Sequence, residues 1–252
     1  METNYTDVLD VFKQMSDSQS YLNSVIGIPF NNFEYQTCFW LYSLSNALLD
    51  EISEAKNCIN WKWWSKEGKI STFSKFIDYK NLQIELVDCL HFILSFQHIS
   101  NFQLVDISLI TNQTRIKINS DILDKFKNNP WSVYCYLDFF EEYVYSFKFE
   151  LLNSEFVYCS IGDYSTNKLD LLKDTKIFEN QGLINSSITF CQNIFNYFYT
   201  IVYLLDLNIN HIYSIYNLKN KVNLDRQYNG YSVINKNEDD NNSIKEKIDS
   251  LD

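Results

Sequence analysis

An all-α fold is what this sequence of 252 residues predicts, on three observations. Apolar residues recur at steps of three and four through several long stretches, the period of an amphipathic helix. Only 5 Gly and 2 Pro punctuate the chain, too few for the many tight turns of a sandwich or barrel. The hydrophobic content of 46% is enough to build a real core, which argues against disorder.

The elements follow in order. In residues 5–26, Val8, Leu9, Phe12, Met15, Tyr21, Leu22, Val25 and Ile26 form one helical face, and Gly27, Pro29 and the pair Asn31 and Asn32 end it. Residues 34–60 form a second helix with Phe39, Trp40, Ser43, Ala47, Leu48 and Ile52 toward the core, followed at once by Trp61, Lys62, Trp63 and Trp64. Residues 81–98 are apolar nearly all round, so this third helix must be central. From about 101 to 181 the period weakens into aromatic helical runs between polar turns at Asn128, Asn129 and Pro130 and at Gly162 and Asp163, which reads as a variable insertion lobe on the core. Residues 183–207 and 211–229 supply a fourth and a fifth core helix. The core is thus assigned to residues 1–100 and 182–234, and the charged, Asn-rich residues 235–252 are expected to be a disordered tail.

Charge narrows the partners. The formal net charge is −11 with a pI near 4.7, and no Lys/Arg stripe offsets it, so a nucleic-acid partner is not expected. An acidic protein that holds a polyphosphate needs a cation as intermediary. The six cysteines, Cys38, Cys58, Cys89, Cys135, Cys159 and Cys191, contain no Cys-x-x-Cys and sit in apolar segments, as expected in a reducing cytoplasm. The N-terminus has no apolar signal-like run, and the most hydrophobic stretch, residues 194–205, is too short to span a bilayer.

Within this frame, Glu51 and Glu54 lie three residues apart on the second helix, and Glu85 and Asp88 repeat that spacing on the third. On each helix the pair shares one face, so two such helices side by side point four carboxylates into one space. With 32 acidic residues in the chain, roughly four such pairs arise by chance, so the spacing alone is weak. Context adds the weight: Glu85 and Asp88 interrupt an otherwise apolar helix, where uncompensated carboxylates cost several kcal/mol. One or two Mg²⁺ ions would neutralise such a cluster with oxygen ligands.

Two further elements bear on a ligand. The tryptophan cluster closing the second helix reads as an aromatic core plug, or as a stacking surface for a nucleobase with Lys62 meeting a phosphate. Lys219, Asn223 and Arg226 follow at steps of four and three, giving the one concentrated cationic face of the chain. A basic helix end balancing the macrodipole explains the two cations, but explains less well the repeated Asn and the stop at Gly230 and Tyr231.

Together these blocks resemble the dimeric all-α dUTP diphosphatases, which are related to the MazG-type nucleotide pyrophosphohydrolases. The matching blocks are Gln19 to Asn23, Glu51-x-x-Glu54 with its tryptophans, Glu85-x-x-Asp88-x-x-His91-Phe92, and Lys219-x-x-x-Asn223-x-x-Arg226 through Gly230 and Tyr231, in the family's order. The resemblance implies about five core helices, four of them carrying the active site, and a homodimer. It implies Mg²⁺, two or more ions per site, on Glu51, Glu54, Glu85 and Asp88, with Glu51 as catalytic base. By the same resemblance Lys62, Lys219, Asn223, Arg226 and Tyr231 hold phosphates, while Gln19, Asn23, Trp64, His91 and Phe92 form the nucleoside pocket. A lone His on an apolar helix is otherwise a hydrogen-bonded core residue. The implied reaction is hydrolysis of dUTP, and of dUDP, to dUMP. A pyrophosphohydrolase of another nucleotide such as dCTP, and an inactive helical protein that binds a partner through its acidic, aromatic surface, are the competing readings.

Overall fold

The computed structural model describes residues 5–28, 36–61, 77–100, 124–153, 181–230 and 239–248. Among the described residues are seven α-helices and no strand: α1 (Tyr5–Ile26), α2 (Gln36–Asn57), α3 (Tyr79–Ile99), α4 (Pro130–Asn153), α5 (Gln181–Leu204), α6 (Ile209–Tyr228) and α7 (Asp239–Ile248). The fold is all-α, and the five helices expected from periodicity are α1, α2, α3, α5 and α6, with ends within three residues of the pattern.

Local chemistry sets the helix ends. Gly27, at φ +90°, occupies the left-handed position after α1, where its N–H reaches the Ser24 carbonyl at 3.2 Å while the Ile28 N–H reaches that of Asn23 at 3.0 Å. This pair of bonds is a Schellman stop, which a residue with a Cβ would strain. The end of α2 and the start of α3 are joined directly. Ile59 and Ile77 form an isolated antiparallel bridge, and the Asp78 N–H donates to the Cys58 carbonyl at 2.8 Å. The Asp78 carboxylate caps α3 by accepting from the Asn81 N–H at 3.2 Å. The two carboxylate-bearing helices are therefore tied together at one end.

As its all-round hydrophobicity requires, α3 is central, packing against α1, α2, α5, α6 and α7. Leu82, Ile84, Leu86, Val87, Leu90, Ile93 and Leu94 are fully buried. At roughly 1.5–3 kcal/mol for each large aliphatic side chain removed from water, this helix carries much of the burial that offsets chain entropy.

Part of the expected insertion is a wall of the same core. Val133, Leu137, Phe140, Val144, Phe147 and Leu151 of α4 recur at steps of four and three, and all are buried. Phe147 stacks on Phe190 of α5 with centroids 3.8 Å apart, and Phe96 of α3 meets the same ring edge-on at 5.1 Å. Lys56 of α2 pairs with Asp138 at 2.5 Å and Glu141 at 2.6 Å on α4. Burial opposes its charge, but these bonds outweigh that and hold its pKa above the ordinary lysine value.

One expectation is corrected. Residues 239–248, placed by composition in a disordered tail, form α7, which packs on α3 and α6. Ile244 and Ile248, one turn apart, are 2% and 3% exposed, and these two anchors fix a helix whose other positions are polar. Residues 194–205 lie in α5, with Ile194, Phe195, Phe198, Ile201 and Val202 buried in the core, and no described helix is long and apolar enough to cross a membrane.

Candidate active site

A cavity of about 700 Å³ opens where α1, α2, α3, α6 and α7 converge. Of the residues singled out in the sequence, Gln19, Asn23, Glu51, Glu54, Glu85, Asp88, His91, Phe92, Lys219, Asn223 and Arg226 all line it. Lys62, Trp64 and Tyr231 lie outside the described residues.

One end is acidic. Carboxylate oxygens of Glu51, Glu54 and Glu85 come within 4.8 Å of one another, a group that could hold a metal ion. All donors are hard oxygens, the set that suits Mg²⁺ or a similar cation. Burial, then the charges of Asp88, Glu54 and Glu85, push the Glu51 carboxyl up to about 9, with Lys219 pulling the other way. The cluster thus repels its own charge, and a divalent cation fits it.

Asp88 faces the same cavity but is engaged differently. Its Oδ2 is 2.6 Å from Nζ of Lys219, a lysine only 4% exposed, and the same Nζ donates to Oδ1 of Asn241 at 3.2 Å. No cation lies near Asp88 in sequence; tertiary structure brings one from α6. That lysine belongs to the face of Lys219, Asn223 and Arg226 read from spacing, and all three line one wall.

The other end is neutral and densely hydrogen-bonded. Gln19, 3% exposed, accepts at Oε1 from His91 Nδ1 at 2.6 Å and from the Tyr216 hydroxyl at 3.0 Å. Its Nε2 donates to Asn23 Oδ1 at 2.9 Å and to Ser95 Oγ at 3.1 Å. Tyr216 stacks on the His91 ring with centroids 4.4 Å apart. From Asn23 the chain of bonds continues to His98 Nδ1 at 3.5 Å, and His98 Nε2 meets Ser16 Oγ at 2.8 Å. Burial lowers the His98 pKa to about 4, and burial together with the Lys219 charge lowers that of His91 to about 3, so both rings are neutral.

An acidic cluster, a cationic wall and a neutral amide–imidazole end in one cavity match the parts of a nucleotide site. A family model described as dUTPase matches residues 11–231. The chain belongs to the dUTPase family. No significant match exists among curated proteins. The enzyme is thus a dUTP diphosphatase of all-α fold.

Sequence reasoning missed several groups that line this cavity or support its walls. Ser95 and Tyr216 lie one turn from His91 and Lys219 on the same helices, a spacing that could have flagged them. Asn241, Asn242 and Lys245 line the cavity from α7, beyond the last residue matched by the family model, and nothing in their local sequence signals it.

Proposed function

We propose that this dUTPase cleaves dUTP between the α- and β-phosphates to give dUMP and pyrophosphate, and accepts dUDP, with Mg²⁺ ions held by Glu51, Glu54, Glu85 and Asp88. The observation that carries the reading is the convergence of three glutamates, a buried Lys219 and a neutral polar end on one cavity of about 700 Å³. Bound to the carboxylates, the cations would neutralise the phosphate chain and lower the pKa of the attacking water.

The chain's own residues do the rest. Glu51 holds that water and takes its proton, as an ionised carboxylate once the mutual repulsion of the cluster is neutralised. Lys219 and Arg226, with Asn223 between them, hold the phosphate oxygens, and Lys245 of α7 adds a cation on the same cavity. Lys62 and Tyr231 are assigned to the phosphates and Trp64 to base stacking on the resemblance of their sequence blocks. Asn23, His91 and Phe92 border the nucleoside. A homodimer is the assembly this reading carries. The exposed Trp131, Phe139, Tyr145 and Phe149 along α4 supply apolar surface that supports it, and light scattering at a twofold mass tests it.

Pyrophosphate release from dUTP, dTTP, dCTP and UTP, with and without a chelator, tests the proposal. Mg²⁺-dependent release from dUTP well above the other three is the expected result. Equal rates on all four would sink the uracil preference, a dCTP preference would favour the competing pyrophosphohydrolase reading, and full activity in chelator would sink the metal.

A further inference from the structure

The helix α7 lies wholly beyond residue 231, where the match to the dUTPase family ends, yet Asn241 and Lys245 bring it to the cavity. These two residues are one turn apart and share a face. Ile244 and Ile248, 2% and 3% exposed, belong to the core and seat the helix between α3 and α6. The polar face is thereby left toward the cavity.

Contacts fix where along the cavity each residue of α7 stands. The lining residues of α3 come in the order Asn81, Glu85, Asp88, His91 and Ser95, spread over about 21 Å at the helical rise. His91 and Ser95 belong to the neutral end. Asn241 stands at the level of Asp88, because Lys219 Nζ is 2.6 Å from Asp88 Oδ2 and donates to Asn241 Oδ1 at 3.2 Å. Lys245 stands further along, at the junction of α2 and α3, where its charge reaches the Cys58 thiol that accepts from Asn81 Nδ2 at 3.2 Å. That thiol is pushed up to about 12 by burial first, with Glu85 and Asp78 adding and Lys245 opposing. The helix α7 therefore runs away from the neutral end, and the carboxylates lie between that end and Lys245.

Lys245 also differs from the other cations near it. Lys219 is shared by Asp88 and Asn241, whereas the half-buried Lys245 makes no ion pair or hydrogen bond among the described residues. Lys247, at the same helix end, is exposed and does not line the cavity, so a basic helix terminus does not by itself account for Lys245.

We propose that Lys245 binds the terminal phosphate of the nucleotide and so sets a preference for a triphosphate over a diphosphate. With the nucleoside at the neutral end and the first two phosphates along Lys219 and the carboxylates, each further phosphate extends toward Asn81 and Cys58. The γ-phosphate of dUTP meets the ammonium of Lys245, and dUDP ends short of it. That phosphate brings negative charge close to Glu85, and an uncommitted ammonium at the same end offsets it. The inference rests on the dUTP reading of the cavity and adds to it the length of phosphate chain the site prefers.

The test uses the full-length chain, and Lys245→Ala leaves both isoleucine anchors in place. Wild type should favour dUTP over dUDP in kcat/KM. In Lys245→Ala that preference should fall about fivefold, through a higher KM for dUTP with kcat little changed and KM for dUDP within about twofold. Lys245→Arg keeps the charge and should restore most of the preference. Calorimetry in Mg²⁺ with non-hydrolysable α,β-imido analogues of dUTP and dUDP should show the same selective loss. Equal losses on the two nucleotides would move Lys245 to a phosphate that both carry and overturn the inference. An unchanged ratio overturns it too, and in both cases continued turnover of dUTP leaves the dUTPase reading standing. Absence of dUTP turnover in wild type overturns that reading instead. Binding of inorganic tripolyphosphate and of pyrophosphate, each with Mg²⁺, then decides Lys245 separately: Lys245→Ala should lose affinity for the longer chain alone, and an equal effect on both, or none, overturns the inference.

Discussion

The two ends of the cavity solve opposite problems with buried polar groups. At the acidic end Glu51, Glu54 and Glu85 crowd within 4.8 Å, and burial, followed by the charges of the neighbouring carboxylates, pushes Glu51 up to about 9. At the neutral end Gln19 and Ser95 satisfy one another and their neighbours without any charge. The first arrangement stores repulsion that a ligand relieves, and the second satisfies the Gln19 amide before any ligand arrives, leaving His91 Nε2 without a donor among the described residues. Removing a group should therefore cost activity at one end and stability at the other.

The largest expected effect breaks the acidic end. Glu51→Gln should lower dUTP turnover by about a thousandfold or more at saturating Mg²⁺, because one group serves as ligand and base. The same variant in chelator should unfold at a midpoint no lower than wild type, since it replaces a group that is already uncomfortable as a carboxylate. Turnover within a few-fold of wild type would end that assignment.

Gln19→Ala sharpens the contrast from the other side. It removes four hydrogen bonds and strands His91 Nδ1, so metal-free denaturation should show a loss of about 2–4 kcal/mol, where Glu51→Gln shows none. A loss no larger than that of Glu51→Gln would contradict the comparison.

Acid should act on the neutral end. Both histidines have folded pKa values, about 3 for His91 and about 4 for His98, below the ordinary 6.5. Below pH 6.5 the unfolded chain binds protons at these two histidines that the folded chain does not, so the stability they contribute is fully present above 6.5 and falls as pH drops toward 4 and 3. Together they outweigh the single opposing proton that Glu51 holds in the folded chain. Denaturation midpoints measured from pH 7 to pH 4 should decline, and a His98→Gln variant should decline less steeply.

The smallest effect concerns α7. Lys245→Ala should raise KM for dUTP by a few-fold, on the scale of about 1 kcal/mol, with kcat nearly unchanged, because Lys245 lines the cavity and makes no ion pair among the described residues. An unchanged KM would confine α7 to a structural role.

Much of this molecule was legible residue by residue. The period of the apolar positions placed α1, α2, α3, α5 and α6, and Gly27 marked the end of α1 because only a left-handed residue closes that stop. Glu85 and Asp88 stood out because carboxylates on an otherwise buried helix require compensation. The helix α7 did not stand out, since two isoleucines among charged residues make a weak pattern until a groove between α3 and α6 receives them.

Sequence by itself determined α1, α2, α3, α5 and α6 and which faces carried acid, base and amide, because those follow from local period and residue chemistry. Only the tertiary structure decided who pairs with whom. It gave Asp88 the ammonium of Lys219 from a helix more than a hundred residues away, and it turned Gln19 from a group expected to meet the base into the support of His91. Hydrogen bonds and ion pairs act over a few ångströms, and residues distant in sequence reach that range only after the core has folded.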